Sequence, residues 1–265
     1  MSEQEPRMRG FELLLAFIGG DNRIPDAIHW QFSIKAKIFA MEFSYDEALA
    51  QIPKCFDELR EIEKRGYGNN KECVKLALRY ESFLNSIYSL CENLSNIVKF
   101  LYPSFSLPQH FIKQKSRFLK TDSIDPDYSK ILAKTAWFDE VHAMRAESTH
   151  YLSGLITIPS STALGYVNLP KSQRKGSLVK IKISDVEKHI KQIHNDVRTF
   201  LTLFGNHFVP ILNQDSHLSL VCISSSDKVI GIRSVSLKEY LNHEQWTCQG
   251  SKECPERGRC QTRKN

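Results

Sequence analysis

The sequence lacks long runs of apolar residues. Its first apolar run, residues 11–18, covers eight positions, whereas a membrane-spanning helix needs about 20. The residues before this run are polar and charged, which is not the pattern of a secretory signal peptide. We therefore expect a cytoplasmic protein with no membrane partner.

Several common catalytic patterns are also missing. The sequence contains no glycine-rich loop that would hold a phosphate, no dinucleotide fingerprint and no recognisable Ser-His-Asp triad. Its Asp and Glu residues form no convincing cluster at metal-site spacing. The sequence therefore gives no support to the usual nucleotide-dependent or serine-hydrolase classes.

The cysteines do not have the spacing that indicates disulfide pairs. The seven cysteines are an odd number at scattered spacings, which argues against the disulfide framework of a secreted domain. Cys55, Cys73, Cys91 and Cys222 stand in apolar surroundings, as single buried thiols usually do. A reducing cytoplasm fits this usage best.

The composition is that of a folded protein with a mild positive charge. Of the 265 residues, 41% are hydrophobic, so the chain can bury a core and global disorder is not expected. The net charge of +6 and the isoelectric point near 8.9 favour polyanionic partners only weakly. Ordinary solvated lysines would give the same bias.

Apolar spacing predicts helices in the first part of the chain. Residues 11–18 read as one helix, and residues 24–43 as a second helix or a strand. The segment Ser44-Tyr45-Asp46-Glu47 reads as a capping box that starts another helix. Pro53 should kink that helix, and Gly66 should end it.

The longest helical pattern follows. It runs over residues 71–101 and closes before Pro103. A shorter helix is expected after Pro108. Another is expected over residues 126–144, which would place Arg145 and His150 at or just past its C-terminal end.

The pattern then becomes strand-like. Alternating or β-branched segments predict a strand-rich insertion over residues 151–159, 163–169 and 177–183. A second capping box at Ser184-Asp185-Val186-Glu187 should open a helix to about residue 206. Two short strands are expected at residues 217–224 and 228–234.

Together these elements predict a mainly α fold. We expect a helical bundle over residues 1–210 with a β-hairpin inserted at about 151–183. Residues 211–265 would form a small α+β C-terminal extension that ends in a basic, cysteine-containing tail.

The segment Arg145-Ala146-Glu147-Ser148-Thr149-His150 is the most informative motif. Arginine carries a fixed positive fork that matches phosphate oxygens, and histidine can exchange a proton near neutral pH. The pair therefore suggests metal-independent cleavage of a phosphodiester. A helix-end arginine that complements the helix dipole, with a surface histidine, is the structural alternative.

This motif, at the end of a long amphipathic helix and before an extended insert and a further helix, resembles the HEPN superfamily (higher eukaryotes and prokaryotes nucleotide-binding). The resemblance covers about residues 71–206 and implies an HEPN-like helical bundle. Members with an intact Arg-x(4–6)-His motif are typically metal-independent endoribonucleases that act as dimers, with the two motifs facing each other. It implies that Arg145 binds the scissile phosphate and that His150 transfers protons, without a required cofactor.

Neighbouring residues are given supporting roles. The family commonly has Asn, Asp or His directly after the arginine, whereas this chain has Ala146. Glu147, Ser148 or Thr149 would then have to orient His150, although the carboxylate of Glu147 would also repel the phosphate. Tyr151 could stack on a base, and packing into the bundle is the favoured alternative. His142 is interpreted as a solvated residue of the same helix.

Two basic runs are candidates for RNA contacts, although most such runs are solvated faces. The residues assigned to RNA binding are Lys113, Lys115, Arg117, Lys171, Arg174 and Lys175. A separate zinc hypothesis concerns the tail, where four potential zinc ligands are His243, Cys248, Cys254 and Cys260. Their spacing lacks the close pairs of a standard zinc knuckle, so a flexible tail with free thiols is the alternative.

The expected function is thus an HEPN-type endoribonuclease, acting as a toxin or antiviral-defence effector. The expected partners are RNA, a second copy of the chain, and an antitoxin or defence-complex subunit. The alternatives are a catalytically inactive HEPN-like dimeric scaffold or RNA-binding subunit of a larger defence complex, and a nucleic-acid adaptor led by the cysteine tail.

Overall fold

A computed structural model describes residues 8–121, 124–150, 154–168, 182–223 and 229–242. This part of the chain is mainly helical, with two small sheets, which confirms the expected class. The helices are α1 (Arg9–Ile18), α2 (Ala27–Arg65), α3 (Lys71–Leu101), α4 (Phe111–Lys120), α5 (Pro126–Ala133), α6 (Ala136–His150), α7 (Val186–Phe208) and α8 (Leu237–Leu241). The strands are β1 (Leu155–Ser160), β2 (Ala163–Val167), β3 (Lys182–Ile183), β4 (His217–Ile223) and β5 (Val229–Ser236).

Helix α3 lies at the centre of the fold and has the bounds that its apolar spacing predicts. It packs along α2 and also contacts α4, α6 and β1. Its buried side chains include Phe83, Ile87, Leu90, Leu94 and Ile97. Burial of this apolar face, rather than intrinsic helix propensity, stabilises so long a helix.

Helix α2 corrects one prediction. Ser44 does not cap a new helix, because α2 runs without a break from Ala27 to Arg65. Its buried positions recur every seven residues, at Ala27, Ile34, Met41, Ala48 and Cys55. This seven-residue period continues on both sides of Ser44. Packing of α2 against the core therefore keeps the segment helical, although its sequence resembles a cap. The predicted end is confirmed: Gly66 has φ 78° and donates its N–H to the carbonyl of Ile62, a conformation that glycine adopts without strain.

The helix predicted over residues 126–144 is two helices. α5 and α6 are separated at Lys134 and Thr135. Thr135 is buried, its hydroxyl donates to the carbonyl of Leu132, and its own carbonyl accepts from Lys115 Nζ at 2.9 Å. The turn that these bonds stabilise redirects the chain, so that α6 packs on α3.

The insert and α7 follow the predicted order. β1 pairs with β2 in an antiparallel hairpin, and β3 pairs with β2. Helix α7 starts one residue later than the capping-box reading implies, because Asp185 rather than Ser184 caps it by accepting from the N–H of Lys188. The apolar face predicted for α7 is buried.

The C-terminal hairpin β4–β5 is also present, and α8 follows it with a capping box between Ser236 and Glu239. This region contacts the start of the chain. Asp21 accepts from the N–H of Asn213, and Arg23 donates to the carbonyl of Ile211. The division of the chain at residue 210 stays a prediction.

Asp125 joins three helices. It caps α5 by accepting from the N–H of Tyr128, and it also accepts from the hydroxyl of Tyr102, which follows α3. His207 of α7 lies 2.8 Å from the same carboxylate. Burial alone would raise the pKa of Asp125, but Tyr102, the Tyr128 N–H and His207 together lower it below its ordinary value of 3.8.

We expect Asp125→Ala to lower the free energy of unfolding by about 2 kcal/mol, because a cap and two further contacts are lost together. Because the folded-state pKa is lowered, the stabilisation is complete above pH 3.8 and is lost as the pH falls through the folded value. Urea unfolding at several pH values measures this. Asp127→Ala, which removes an exposed carboxylate paired only with Lys130, is the control and should have little effect; equal losses in both variants would contradict the assignment.

Candidate functional site

The whole Arg145–His150 motif lies inside α6, which ends at His150. Positions 145 and 150 are therefore separated by about 140° around the helix axis, since each residue turns an α-helix by about 100°. Within one copy they belong to different faces of α6. The side chain of His150 lies outside what the structure describes.

Arg145 rests on the ring of Tyr88, which projects from α3. The guanidinium carbon lies 4.6 Å from the ring centroid, within the range of a cation–π contact. Arg145 is half-buried, and its Nε is buried without a hydrogen-bond partner. The contact holds the positive charge of Arg145 against α3.

Arg145 differs from the other half-buried arginines in the described residues. Arg79 lies 2.8 Å from a carboxylate oxygen of Glu47, and Arg198 lies 3.3 Å from Glu42. For Arg145 the described residues supply no carboxylate within ion-pair distance. Partly burying an uncompensated charge costs free energy, and a cation–π contact offsets only part of that cost. A bound anion would compensate the remainder.

His142 lies one turn before Arg145 and contacts the same tyrosine. Its ring centroid is 5.8 Å from that of Tyr88 and 6.3 Å from that of Phe138, and the side chain is half-buried. The structure thus places His142 among aromatic rings rather than on a solvated face. An arginine and a histidine of α6 share one supporting ring.

The pKa of Tyr88 is raised, first by burial and then by the neighbouring carboxylate of Glu92, while Arg145 opposes the rise. Glu92 is already engaged, since it accepts from the N–H of Phe111 and lies 3.0 Å from Nδ1 of His110. Tyr88 therefore stays a neutral ring at ordinary pH, as a cation–π partner should. Tyr88 was not identified from the sequence, where its aromatic ring resembles any other helical core residue.

The supporting positions are only partly described. Ala146 and Ser148 are half-buried, and the Ser148 hydroxyl donates to the carbonyl of Arg145 at 3.2 Å. Ser148 is thus engaged with the α6 backbone. The side chains of Glu147 and Thr149, and the whole of Tyr151, lie outside the described part of the chain.

The basic residues of α4 divide into two kinds. Lys113 and Arg117 are exposed. Lys115 is buried, and its Nζ binds the Thr135 carbonyl and both carboxylate oxygens of Asp139. Lys115 therefore joins α4 to α6 and is not open to a phosphate. Outside the described residues lie Lys171, Arg174 and Lys175.

The zinc hypothesis falls outside the described residues, which do not include His243, Cys248, Cys254 and Cys260. Among the side chains that are described, no three His, Cys, Asp or Glu residues converge as metal ligands would. None of the described helices combines the length and the apolar character needed to cross a membrane.

A second polar cluster ties the insert and α7 to α3. Glu81 is buried and accepts from the Gly154 N–H and the Tyr166 hydroxyl, each at 2.7 Å. Next to it, the Tyr80 hydroxyl lies 2.7 Å from Nδ1 of His189. His189 Nε2 lies 3.2 Å from Glu140 of α6, without the alignment of a hydrogen bond. This cluster was not predicted, because its members lie far apart in the sequence.

The larger cavities do not coincide with Arg145. One, of about 400 Å³, lies between α3 and β1 and is lined mainly by apolar side chains, among them Val74, Leu78 and Ile156. Another of similar size lies beside β2 and the start of α7, with Lys188 and Glu187 in its wall. Arg145 lines neither of these two cavities.

Comparisons with family models, curated proteins and solved structures give no match.

We expect Glu81→Ala to destabilise the protein by about 2–4 kcal/mol, because it leaves the Gly154 N–H and the Tyr166 hydroxyl buried without their acceptor. The loss should be concentrated in the insert. Hydrogen exchange of the β1 and β2 amides measures it, with the α7 amides as the internal reference. Unchanged protection of the hairpin would refute this anchoring role.

Proposed function

We propose that this protein is a metal-independent endoribonuclease of the HEPN type, in which Arg145 binds the scissile phosphate. The observation that carries the proposal is the Arg145 guanidinium on Tyr88, partly buried and without a carboxylate among the described residues. An arginine side chain can donate two parallel hydrogen bonds to two oxygens of one phosphate. A phosphate bound there would supply the negative charge that the described surroundings lack.

The reaction follows from the residue types. The 2′-hydroxyl of a ribose attacks the adjacent phosphorus, the new O2′–P bond forms and the P–O5′ bond breaks. The products are a 2′,3′-cyclic phosphate and a 5′-hydroxyl. One group accepts the 2′-hydroxyl proton, another donates a proton to O5′, and the arginine stabilises charge on the phosphate oxygens.

His150 is the proposed proton-transfer residue, and His142 is a second imidazole close to Arg145. Because positions 145 and 150 lie on different faces of α6, the proposal uses two copies of the motif. A two-fold axis would bring Arg145 of one copy towards His150 of the other and provide both an acid and a base. DNA lacks the 2′-hydroxyl nucleophile, so the mechanism selects RNA.

The contacts beyond the cleaved phosphate are assigned to exposed cations. Lys113 and Arg117 of α4 are the described candidates, and Lys171, Arg174 and Lys175 would extend the path. Such contacts position the RNA backbone without reading its sequence. Uncontrolled RNA cleavage would harm the host, so the proposal includes a toxin or antiviral-defence role and an antitoxin or defence-complex partner.

A catalytically inactive HEPN-like dimeric scaffold, or an RNA-binding subunit of a larger defence complex, is the second candidate. The observation that favours it is Ala146, whose methyl group cannot orient an imidazole or a phosphate. In that case Arg145 and Tyr88 would still bind a phosphate, but the proton transfers would be missing. Both candidates predict RNA binding, whereas only the first predicts RNA cleavage.

We expect the full chain to cleave single-stranded RNA in EDTA and to leave a 2′,3′-cyclic phosphate. Arg145→Ala and His150→Ala should each reduce the rate by at least about 100-fold, as loss of a transition-state contact or of a proton-transfer group does. Gel analysis of end-labelled RNA gives the rates. Arg60→Ala, which removes an exposed arginine of α2, is the matched control and should retain the activity.

RNA binding without cleavage in the wild-type chain would support the second candidate, provided that Arg145→Ala weakens the binding. Neither binding nor cleavage, or cleavage that survives in both variants, would refute the assignment of Arg145. A product with a 3′-hydroxyl would exclude attack by the 2′-oxygen.

Tyr88 is a positioning residue in this proposal, and its role can be tested separately. We expect Tyr88→Phe to bind RNA nearly as the wild type does, because the ring under Arg145 is retained. Tyr88→Leu should weaken binding by about 3-fold to 30-fold, the range of a lost cation–π contact. Filter binding measures the affinities, and equal losses in both variants would show that the hydroxyl rather than the ring matters.

A further inference from the structure

One face of α2 carries large apolar side chains that remain exposed. Ile28 is 61% exposed, Phe32 64%, Phe39 73% and Phe43 58%. Single exposed apolar residues are common on protein surfaces. Four of them on one helix face form a contiguous patch, which usually marks an interaction surface. We call these residues the α2 stripe.

The stripe is a regular feature of the helix. Its members fall within about 60° of arc and extend over about 22 Å of helix length. The core-facing positions of α2, including Ile34, Met41 and Ala48, lie about 180° away on the opposite side. The rings of Phe39 and Phe43 already stack on each other, with centroids 6.3 Å apart. α2 thus has one apolar face for the core and a second for another partner.

The charges beside the stripe indicate what that partner is. Lys35 and Asp46 are exposed on the same edge of the stripe. Neither makes an ion pair within the described residues, whereas Glu42 and Glu47 of the same helix already pair with Arg198 and Arg79. The Nζ atom of Lys35 lies 5.9 Å from the centroid of the Phe32 ring. The stripe therefore has a positive group beside its middle and a negative group just past its C-terminal end, and neither group has an ion-pair partner among the described residues.

We propose that the α2 stripe binds the α2 stripe of a second copy, with the two helices antiparallel about a two-fold axis level with Met41. Such an axis places each edge of the stripe against the same edge of the stripe in the other copy, and the two chains run in opposite directions there. Lys35 lies six residues before Met41, and Asp46 lies five residues after it. Each Lys35 is therefore level with Asp46 of the other copy. The ion pair forms twice.

Three of the four apolar side chains of the stripe lie opposite an apolar residue in the same register, and the fourth, Ile28, lies opposite the exposed Lys54. Phe39 and Phe43 are each two residues from Met41, so each Phe39 lies opposite Phe43 of the other copy. Phe32 lies opposite Ala50, an exposed small residue that leaves room for a ring. A parallel arrangement in register would instead place the Lys35 residues of the two copies, and likewise the two Asp46 residues, at the same level on opposite edges of the interface, so that no ion pair would form.

This interface does not rest on the proposed function. The stripe belongs to α2, whereas Arg145 belongs to α6, so loss of self-association through the stripe and loss of RNA cleavage are separate results. The motif-to-motif dimer of the nuclease proposal uses a different surface.

Sedimentation of the full chain tests the interface. We expect the wild type to self-associate at micromolar concentration, and Phe39→Asp to raise the dissociation constant of the stripe contact by at least about 100-fold, because each of the two copies then places a charge where a ring was buried. The control is Leu78→Asp, which places the same charge at an exposed apolar position of α3. It should leave the dimer unchanged.

A charge exchange identifies the partner and the register. Lys35→Glu and Asp46→Lys should each weaken the dimer about tenfold, because two attractive pairs become repulsive. The double variant should return to within about threefold of the wild type. Circular dichroism checks that each variant is folded.

A wild type that does not self-associate would overturn the proposal, and so would an assembly whose size Phe39→Asp leaves unchanged. A dimer that persists in Phe39→Asp after a larger wild-type assembly is lost would be the motif-to-motif dimer, and that result would support the stripe contact. Failure of the double charge exchange to restore association would overturn the antiparallel register.

Discussion

The placement of α3 is the constraint on which the other elements depend. Polar groups along this helix and just beyond its end each bind a different element. Tyr80 contacts His189 of α7, Glu81 holds the start of the insert, Tyr88 supports Arg145 of α6, and Tyr102 binds Asp125 at the start of α5. Because these groups are spaced along one rigid helix, the register of α3 sets the relative positions of the other elements.

The same arrangement explains why a partly buried cation is tolerated on α6. The Tyr88 ring offers a negative face to the guanidinium without neutralising it. A carboxylate at that position would have formed an ion pair and competed with the phosphate that we propose as the ligand of Arg145. The Tyr88 ring is uncharged, as a phenol is at neutral pH, so α3 supports the arginine without supplying an ion-pair partner.

Elements whose apolar period is uninterrupted were predictable from the sequence. Helix α3 has the predicted bounds, α1 stops at its predicted glycine, and α7 buries the predicted face. The failures lie where local signals and packing disagree. Ser44 resembles a cap but lies within the core period of α2, and the α5–α6 turn depends on Lys115 reaching Thr135 from another helix. The Arg145 motif was visible in the sequence, whereas Tyr88 was not, because only the fold brings α3 under α6.

The separation of the two apolar faces of α2 affects how the sequence of this protein can diverge in evolution. The residues that hold the helix against the core and those that form its outer stripe share no position. Substitutions on the outer face can therefore create, retune or abolish contact between subunits without changing the fold. Stoichiometry is then free to drift over evolutionary time while the architecture that supports Arg145 stays fixed.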